Sequence, residues 1–202
     1  MSTLVIPEAT RRRLLLLLNL LGNWSKDKIT SVEISELTGW SGNTIRHDLW
    51  LIGNSVHGVK NGYCKADLYA AINRALGLEE LVQNVCIAGL GRLGAALLDE
   101  DFFEGSGFVI KAGFDSNVNR VEILRSSFPL YPAADMNRII RQEKITLAVL
   151  TVSDRDAKAM CERLVTAGIK GIVNMTRTVL KVPDGVKVEN VSVLTALKMI
   201  SN

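Results

Sequence analysis

The sequence predicts an α/β fold in two domains, a helical N-terminal one closed by a small hairpin and a C-terminal parallel sheet covered by helices on both faces. Three observations predict it. The apolar run Val85-Cys86-Ile87-Ala88 feeds Gly89-Leu90-Gly91-Arg92-Leu93-Gly94, and the helix-forming Ala95-Ala96-Leu97-Leu98 follows. A second apolar run, Val109–Phe114, ends in Asp115, 21 residues beyond Gly94. Upstream, two short helical segments flank a glycine turn, with the second presenting polar and cationic residues on one side. The first two describe a Rossmann doubly wound sheet, in which strand, glycine turn, helix and acidic residue each have a mechanical task. The third describes a helix-turn-helix. The expected domains are 1–80, 81–191 and a C-terminal helix over 192–202.

In the N-terminal domain a helix opens near Pro7 and closes at Gly22, and its leucine run makes it apolar almost all round, hence central to a small bundle. Arg11-Arg12-Arg13 before Leu14–Leu21 resembles a signal peptide, but the apolar stretch is too short to span a bilayer and no A-x-A site follows. A buried helix accounts for the same residues. Thr30-Ser31-Val32-Glu33 is a capping box, with Ile34 and Leu37 as the apolar face up to Gly39. Ser41 caps the next helix, on which Ile45, Leu49 and Ile52 share one face and Asn43, Arg46, His47 and Trp50 the other. The Asn61-Gly62 pair within Val56–Tyr63 suits a tight hairpin, so the domain reads as a winged helix. A linker helix, Ala66–Gly77, follows.

After Asp115 the alternation continues. A helix over Met136–Gln142 precedes the strand Ile145–Thr151, and Ser153 with Asp156 caps a helix running to Gly168. Strands at Gly171–Asn174 and Val186–Glu189 come next, then a short helix, Ser192–Ile200, with nothing in its own domain to cover.

Composition narrows the function. Three scattered cysteines exclude a disulfide framework and a zinc site, which points to a reducing cytoplasm. The two histidines, His47 and His57, both precede the sheet, so residues 81–202 lack the usual proton-transfer group of a dehydrogenase. No catalytic constellation and no metal site can be assembled. Residues 1–65 carry eight Lys or Arg against five Asp or Glu, a modest positive excess that suits a few phosphate contacts.

The chain resembles the Rex redox-sensing repressors along nearly its whole length. The resemblance is carried by Ile6-Pro7-Glu8-Ala9-Thr10 with Arg13-Leu14, by Ile45-Arg46-His47-Asp48-Leu49, and by Gly62-Tyr63. In the sheet domain it is carried by Ala112-Gly113-Phe114-Asp115, Leu150-Thr151-Val152, Ala167–Asn174 and Val188-Glu189-Asn190-Val191. It implies a homodimer that binds operator double-stranded DNA when NADH is scarce and releases it when NADH binds, with the C-terminal helix swapped between subunits. By matching position, Gly89, Leu90, Gly91, Arg92, Leu93 and Gly94 form the phosphate loop. Asp115 holds the adenosine ribose, and Thr151, Val152 and Asn174 border the nicotinamide end. Ser41, Asn43, Thr44, Arg46 and His47 face the DNA groove, and Arg11, Arg12 and Lys60 sit near phosphates. The chain departs from the family pattern where the wing reads His57-Gly58-Val59-Lys60, where Asp99-Glu100-Asp101 replaces an aromatic, at Ser153, and at Met175-Thr176-Arg177. These departures predict weaker NADH binding or weaker discrimination from NAD⁺. Two alternatives stay open: a Rex-like regulator that has lost NADH sensing or answers to another nucleotide, and a nucleotide-binding module for coenzyme A or a similar ligand without DNA binding.

Overall fold

The computed structural model describes residues 6–53, 62–78, 82–98, 103 and 106–201, and the chain divides into two compact units, 1–80 and 81–202. The first unit is built on α1 (Glu8–Gly22), β1 (Lys28–Ile29), α2 (Ser31–Thr38), α3 (Gly42–Leu51), β2 (Tyr63–Cys64) and α4 (Lys65–Leu76). Pro7 stands just ahead of α1, and one face of that helix is buried through Leu14, Leu17, Leu18 and Leu21. The leucine run is not buried all round, since Leu15 and Leu16 are exposed and Leu16 is 58% accessible. Among the described residues, neighbours cover one side of this helix only. The capping box at α2 forms in full: Glu33 N–H donates to Thr30 Oγ1 at 3.1 Å, and Thr30 N–H to Glu33 Oε2 at 2.9 Å. Of the apolar pair expected there, Ile34 is buried and Leu37 is 56% exposed.

Ile45 and Leu49 bury α3 against a core shared with α1 and α4. The helix read as a linker belongs to that core, because Leu68, Ala71, Ile72 and Leu76 of α4 are buried in it. Tyr63 and Cys64 pair antiparallel with Ile29 and Lys28, so the end of the hairpin region docks on a strand that precedes the two helices. The remainder of the expected wing, residues 54–61, lies outside the described residues.

The second unit is a six-stranded parallel sheet. Its strands are β3 (Gln83–Ala88), β4 (Phe108–Asp115), β5 (Leu130–Pro132), β6 (Leu147–Leu150), β7 (Gly171–Asn174) and β8 (Lys187–Asn190), in the order β5-β4-β3-β6-β7-β8. Alternating residues feed two layers. Cys86, Ala88, Phe114, Ala148 and Leu150 pack with Met136, Ile139 and Ile140 of α7 (Met136–Gln142) and Met160, Cys161 and Leu164 of α8 (Ala157–Ala167). Val85, Ile87 and Val149 pack on the opposite face with Leu90, Leu97 and Leu98. On that face α5 (Arg92–Ala96) and α6 (Val118–Ile123) lie along the chain between β3 and β5. The winding reverses between β3 and β6, and crevices at such a switch point open at the strands' C-terminal ends. Burial raises the Cys86 thiol to about 12, so it is an inert core residue.

The helix expected from Ser153 starts later. Asp156 is the N-cap residue of α8, and Ser153 Oγ bonds its Oδ2 at 2.5 Å instead of capping the helix. The last helix, α9 (Val193–Ile200), is capped by Ser192, whose hydroxyl accepts the Thr195 N–H at 3.2 Å. Its apolar residues Val193, Leu194, Leu197, Met199 and Ile200 are all exposed.

Candidate functional site

The chain leaves β3 at Ala88 and turns through Gly89-Leu90-Gly91 into α5. Two of the three fingerprint glycines are required by neighbouring protein atoms, and the third is not. Gly89 has φ +104°, and a Cβ there would stand 2.7 Å from the Val152 nitrogen. A Cβ on Gly94 would fall 1.8 Å from the Gly89 carbonyl oxygen and 2.8 Å from Thr151 Oγ1. The turn, the helix and the end of β6 are therefore pressed together. Thr151 straps them by donating its hydroxyl to the Gly89 carbonyl at 2.6 Å. Gly91 differs, because a Cβ there would meet no atom of the described residues within 4 Å.

Gly91 opens on a cleft of about 540 Å³. Asp115, Ser116, Asn117 and Arg120 line one end, and Thr151, Val152, Ser153, Arg155, Asp156 and Met160 the other. Asp115, at the tip of β4, is buried. Its Oδ2 accepts the Leu90 N–H at 2.7 Å, its Oδ1 accepts the Asn117 N–H at 2.7 Å, and Arg120 Nη1 lies 3.3 Å from Oδ2. The carboxylate thus holds the glycine turn in shape and also faces the cleft.

Among the residues expected in the phosphate loop, Gly89 and Gly91 line the cleft, and Arg92 and Leu93 are exposed at the start of α5. Leu90 contributes its backbone only, since its side chain is buried in the core. Thr151 and Val152 line the far end. Asn174 does not: it is buried, and its amide is fully engaged. Its Nδ2 donates to the Thr178 carbonyl at 2.9 Å and to Asn190 Oδ1 at 2.8 Å, while its Oδ1 accepts the Thr176 N–H and hydroxyl at 3.1 and 2.7 Å. An amide has two donors and two acceptor lone pairs, so none is left for a ligand. Sequence reasoning missed Ser116, Asn117 and Arg120, which follow Asp115 on a loop and a short helix with no periodic signal. Glu100 and its acidic neighbours lie outside the described residues. Of the other departures, Ser153 lines the cleft, Met175 packs against the buried cluster built on Val85, Ile87 and Val149, and Arg177 pairs with Asp154.

A second candidate surface lies on α3. Ser41 caps the helix by accepting the Thr44 N–H at 3.1 Å, which anchors its N-terminal turn. Asn43, Arg46, His47 and Trp50 are exposed on the side opposite Ile45 and Leu49, and Thr44 is half-buried. Arg46 Nη2 donates to Asn43 Oδ1 at 2.6 Å, so the two side chains are presented together. Arg11 and Arg12 are exposed on α1, and Arg12 pairs with Glu8 at 3.0 Å. Lys60 lies outside the described residues.

One contact in this unit has no counterpart in the sequence reading. Asp48, on the buried side of α3, accepts from Arg13 Nε at 2.5 Å, Arg13 Nη2 at 2.9 Å and the Thr10 hydroxyl at 2.8 Å. Burial alone would raise its carboxyl, but the hydrogen bonds from Arg13 and Thr10 outweigh burial and hold it below the ordinary range. The pair bolts α3 to α1 across 35 residues.

Among the described residues no group of three or more His, Cys, Asp or Glu is placed to hold a metal, and no helix is long and apolar enough to cross a membrane. A family model described as a CoA binding domain matches residues 82–178. The redox-sensing transcriptional repressor Rex of Limosilactobacillus fermentum is 32% identical over 200 residues, covering 96% of this chain and 91% of that protein. Two solved structures of RSP, from a series described as a Rex-family repressor, align over nearly the whole chain. The one in complex with β-NAD⁺ and operator DNA has a TM-score of 0.86 at 32% identity, covering 98% of this chain and 91% of that one. The one in complex with β-NADH has a TM-score of 0.84 at 33% identity, covering 98% and 93%. A capped helix-turn-helix, a glycine turn opening on a cleft, and this agreement along the full chain lead to one assignment: the chain belongs to the Rex family of redox-sensing transcriptional repressors.

Proposed function

We propose that the chain is a cytoplasmic, non-enzymatic repressor that binds operator DNA through α3 and reads the NADH/NAD⁺ ratio through the cleft beside Gly91, with NADH releasing it from DNA. The observation that carries the nucleotide half is the open side of Gly91. Gly89 and Gly94 are required by the protein's own packing, whereas among the described residues Gly91 has no neighbour that demands glycine. A pyrophosphate approaching the backbone supplies such a neighbour. Asp115 fits the adenosine end, where the free lone pair on its Oδ1 can accept from a ribose hydroxyl, and the backbone N–H groups opening α5 suit phosphate oxygens. Thr151 and Val152 border the opposite, nicotinamide end.

The test is calorimetric titration of the purified protein with NADH and with NAD⁺, alone and with a duplex that the protein itself has selected from a random-sequence pool. Linkage requires that if NADH weakens DNA binding by some factor, DNA weakens NADH binding by the same factor. NADH affinity unchanged by saturating DNA would dismiss the sensing mechanism.

For the DNA half, Arg46→Ala is expected to weaken binding to the selected duplex by about 1–3 kcal/mol at matched salt, as for a bidentate base contact. Equal affinity in the mutant and the wild type would remove Arg46 from the interface. Assembly gives a further expectation. The exposed apolar residues of α9 suit a swapped helix in a homodimer, the arrangement that fits paired operator half-sites. Deleting residues 192–202 is expected to turn a sedimenting dimer into monomers or aggregates. A wild-type chain that sediments as a monomer at micromolar concentration rules the dimer out.

A further inference from the structure

The loop after β6 and the loop after β7 are tied by a polar clasp. Asp154 Oδ1 accepts the Arg177 backbone N–H at 2.8 Å, and Asp154 Oδ2 receives Arg177 Nε at 2.7 Å and Nη2 at 2.6 Å. Thr178 adds a hydroxyl bond to the Asp154 carbonyl at 2.9 Å. Behind the clasp, Asn174 fixes the β7 loop through Thr176 and Thr178. Asp154 and Arg177 do not themselves line the cleft, but Val152, Ser153, Arg155 and Asp156 on either side of Asp154 do. The clasp therefore acts on the wall of the cleft from outside.

We propose that Asp154 and Arg177 are positioning residues that hold the Val152–Asp156 wall in the shape receiving the half of the dinucleotide distal to adenosine. This inference rests on the nucleotide reading above. The side chains are 37% and 79% exposed, and exposed ion pairs add little to global stability. Their effect falls on the loop. A wall already ordered in the free protein loses less conformational freedom when ligand arrives, and this preorganisation appears as affinity. The adenosine end, at Asp115, Asn117 and Arg120, lies on the tip of β4 and the loop and helix after it, which the clasp does not touch. NADH and ADP therefore separate a positioning role from general damage, because ADP carries the adenosine half without the nicotinamide half.

The experiment is calorimetry on the full chain with NADH, NAD⁺ and ADP as probes, using Asp154→Asn, Arg177→Gln and Arg177→Lys. The expected result is a loss of NADH affinity of about fivefold to tenfold in Asp154→Asn and Arg177→Gln, with most of it restored in Arg177→Lys. ADP affinity and the thermal midpoint stay at wild-type values. NADH affinity unchanged in both disruptive variants overturns the clasp while leaving the nucleotide reading intact, and so does a parallel fall of NADH and ADP. A wild-type protein that binds ADP but neither NADH nor NAD⁺ also overturns it. A wild type that binds none of the three removes the nucleotide reading and the clasp together.

Discussion

Gly94→Ala is expected to destabilise the second unit by about 3 kcal/mol or more, whereas Gly91→Val, at the N-cap of α5, costs only about 1 kcal/mol and abolishes nucleotide binding. The two glycines are three residues apart in one fingerprint, yet they fail for different reasons. A methyl on Gly94 would be driven to 1.8 Å from the Gly89 carbonyl oxygen, with the Thr151 hydroxyl closing the other side. Those atoms belong to the backbone turn and to the strap that fixes it, so neither can yield without shifting α5 from β3. At Gly91 the backbone is extended, φ −67° and ψ −167°, a region that valine tolerates, and the space beyond is open. The isopropyl group would instead occupy the place of a pyrophosphate. Loss of affinity by a hundredfold or more, about 2.7 kcal/mol, is the expected reading. Thermal unfolding followed together with NADH titration checks both. A Gly91→Val protein that binds NADH normally would show that the open side of the turn faces no ligand.

What the sequence disclosed follows the range of the forces involved. The fingerprint, the capping box at Thr30 and Glu33, and the buried stripe Ile45–Leu49 are local patterns, written within a few residues, and the structure places each as expected. The strand β5 and the helix α6 escaped because three and six residues are too short to establish a period. The strand β1, two residues long, exists only because Tyr63 and Cys64 return to pair with it. The resemblance to the Rex family puts Asn174 at the cleft, but its direction is set by Asn190, sixteen residues on. The clasps Arg13–Asp48 and Arg177–Asp154 join residues 35 and 23 apart, and nothing in either local sequence announces the partner. Charged residues in a helix read by default as solvated, so a buried Asp48 is invisible until the fold is known.

The other large effect is expected at Asp48→Ala, which should cost the N-terminal unit about 3 kcal/mol. That is the low end for breaking a buried pair, because Arg13 is 26% exposed and can recover some hydration, while Asp48 is 5% exposed. For a unit of about 80 residues the thermal midpoint should fall by roughly 12–24 °C. The variant leaves the Arg13 guanidinium and the Thr10 hydroxyl without their acceptor, in contact with a helix whose outer face carries Asn43 and Arg46. Loss of DNA affinity should accompany the loss of stability, while the second unit should still bind NADH. The pH dependence follows from the sign of the shift. The folded-state pKa of Asp48 lies below its unfolded value near 3.9, so its ionised form contributes stability that is fully present above about pH 4 and is lost as pH falls through the folded value. Asp48→Asn removes that titration, so its unfolding free energy should converge on that of the wild type as the pH drops from 5 toward 2. Curves that stay parallel over this interval would show that the carboxylate charge does not hold α3 to α1.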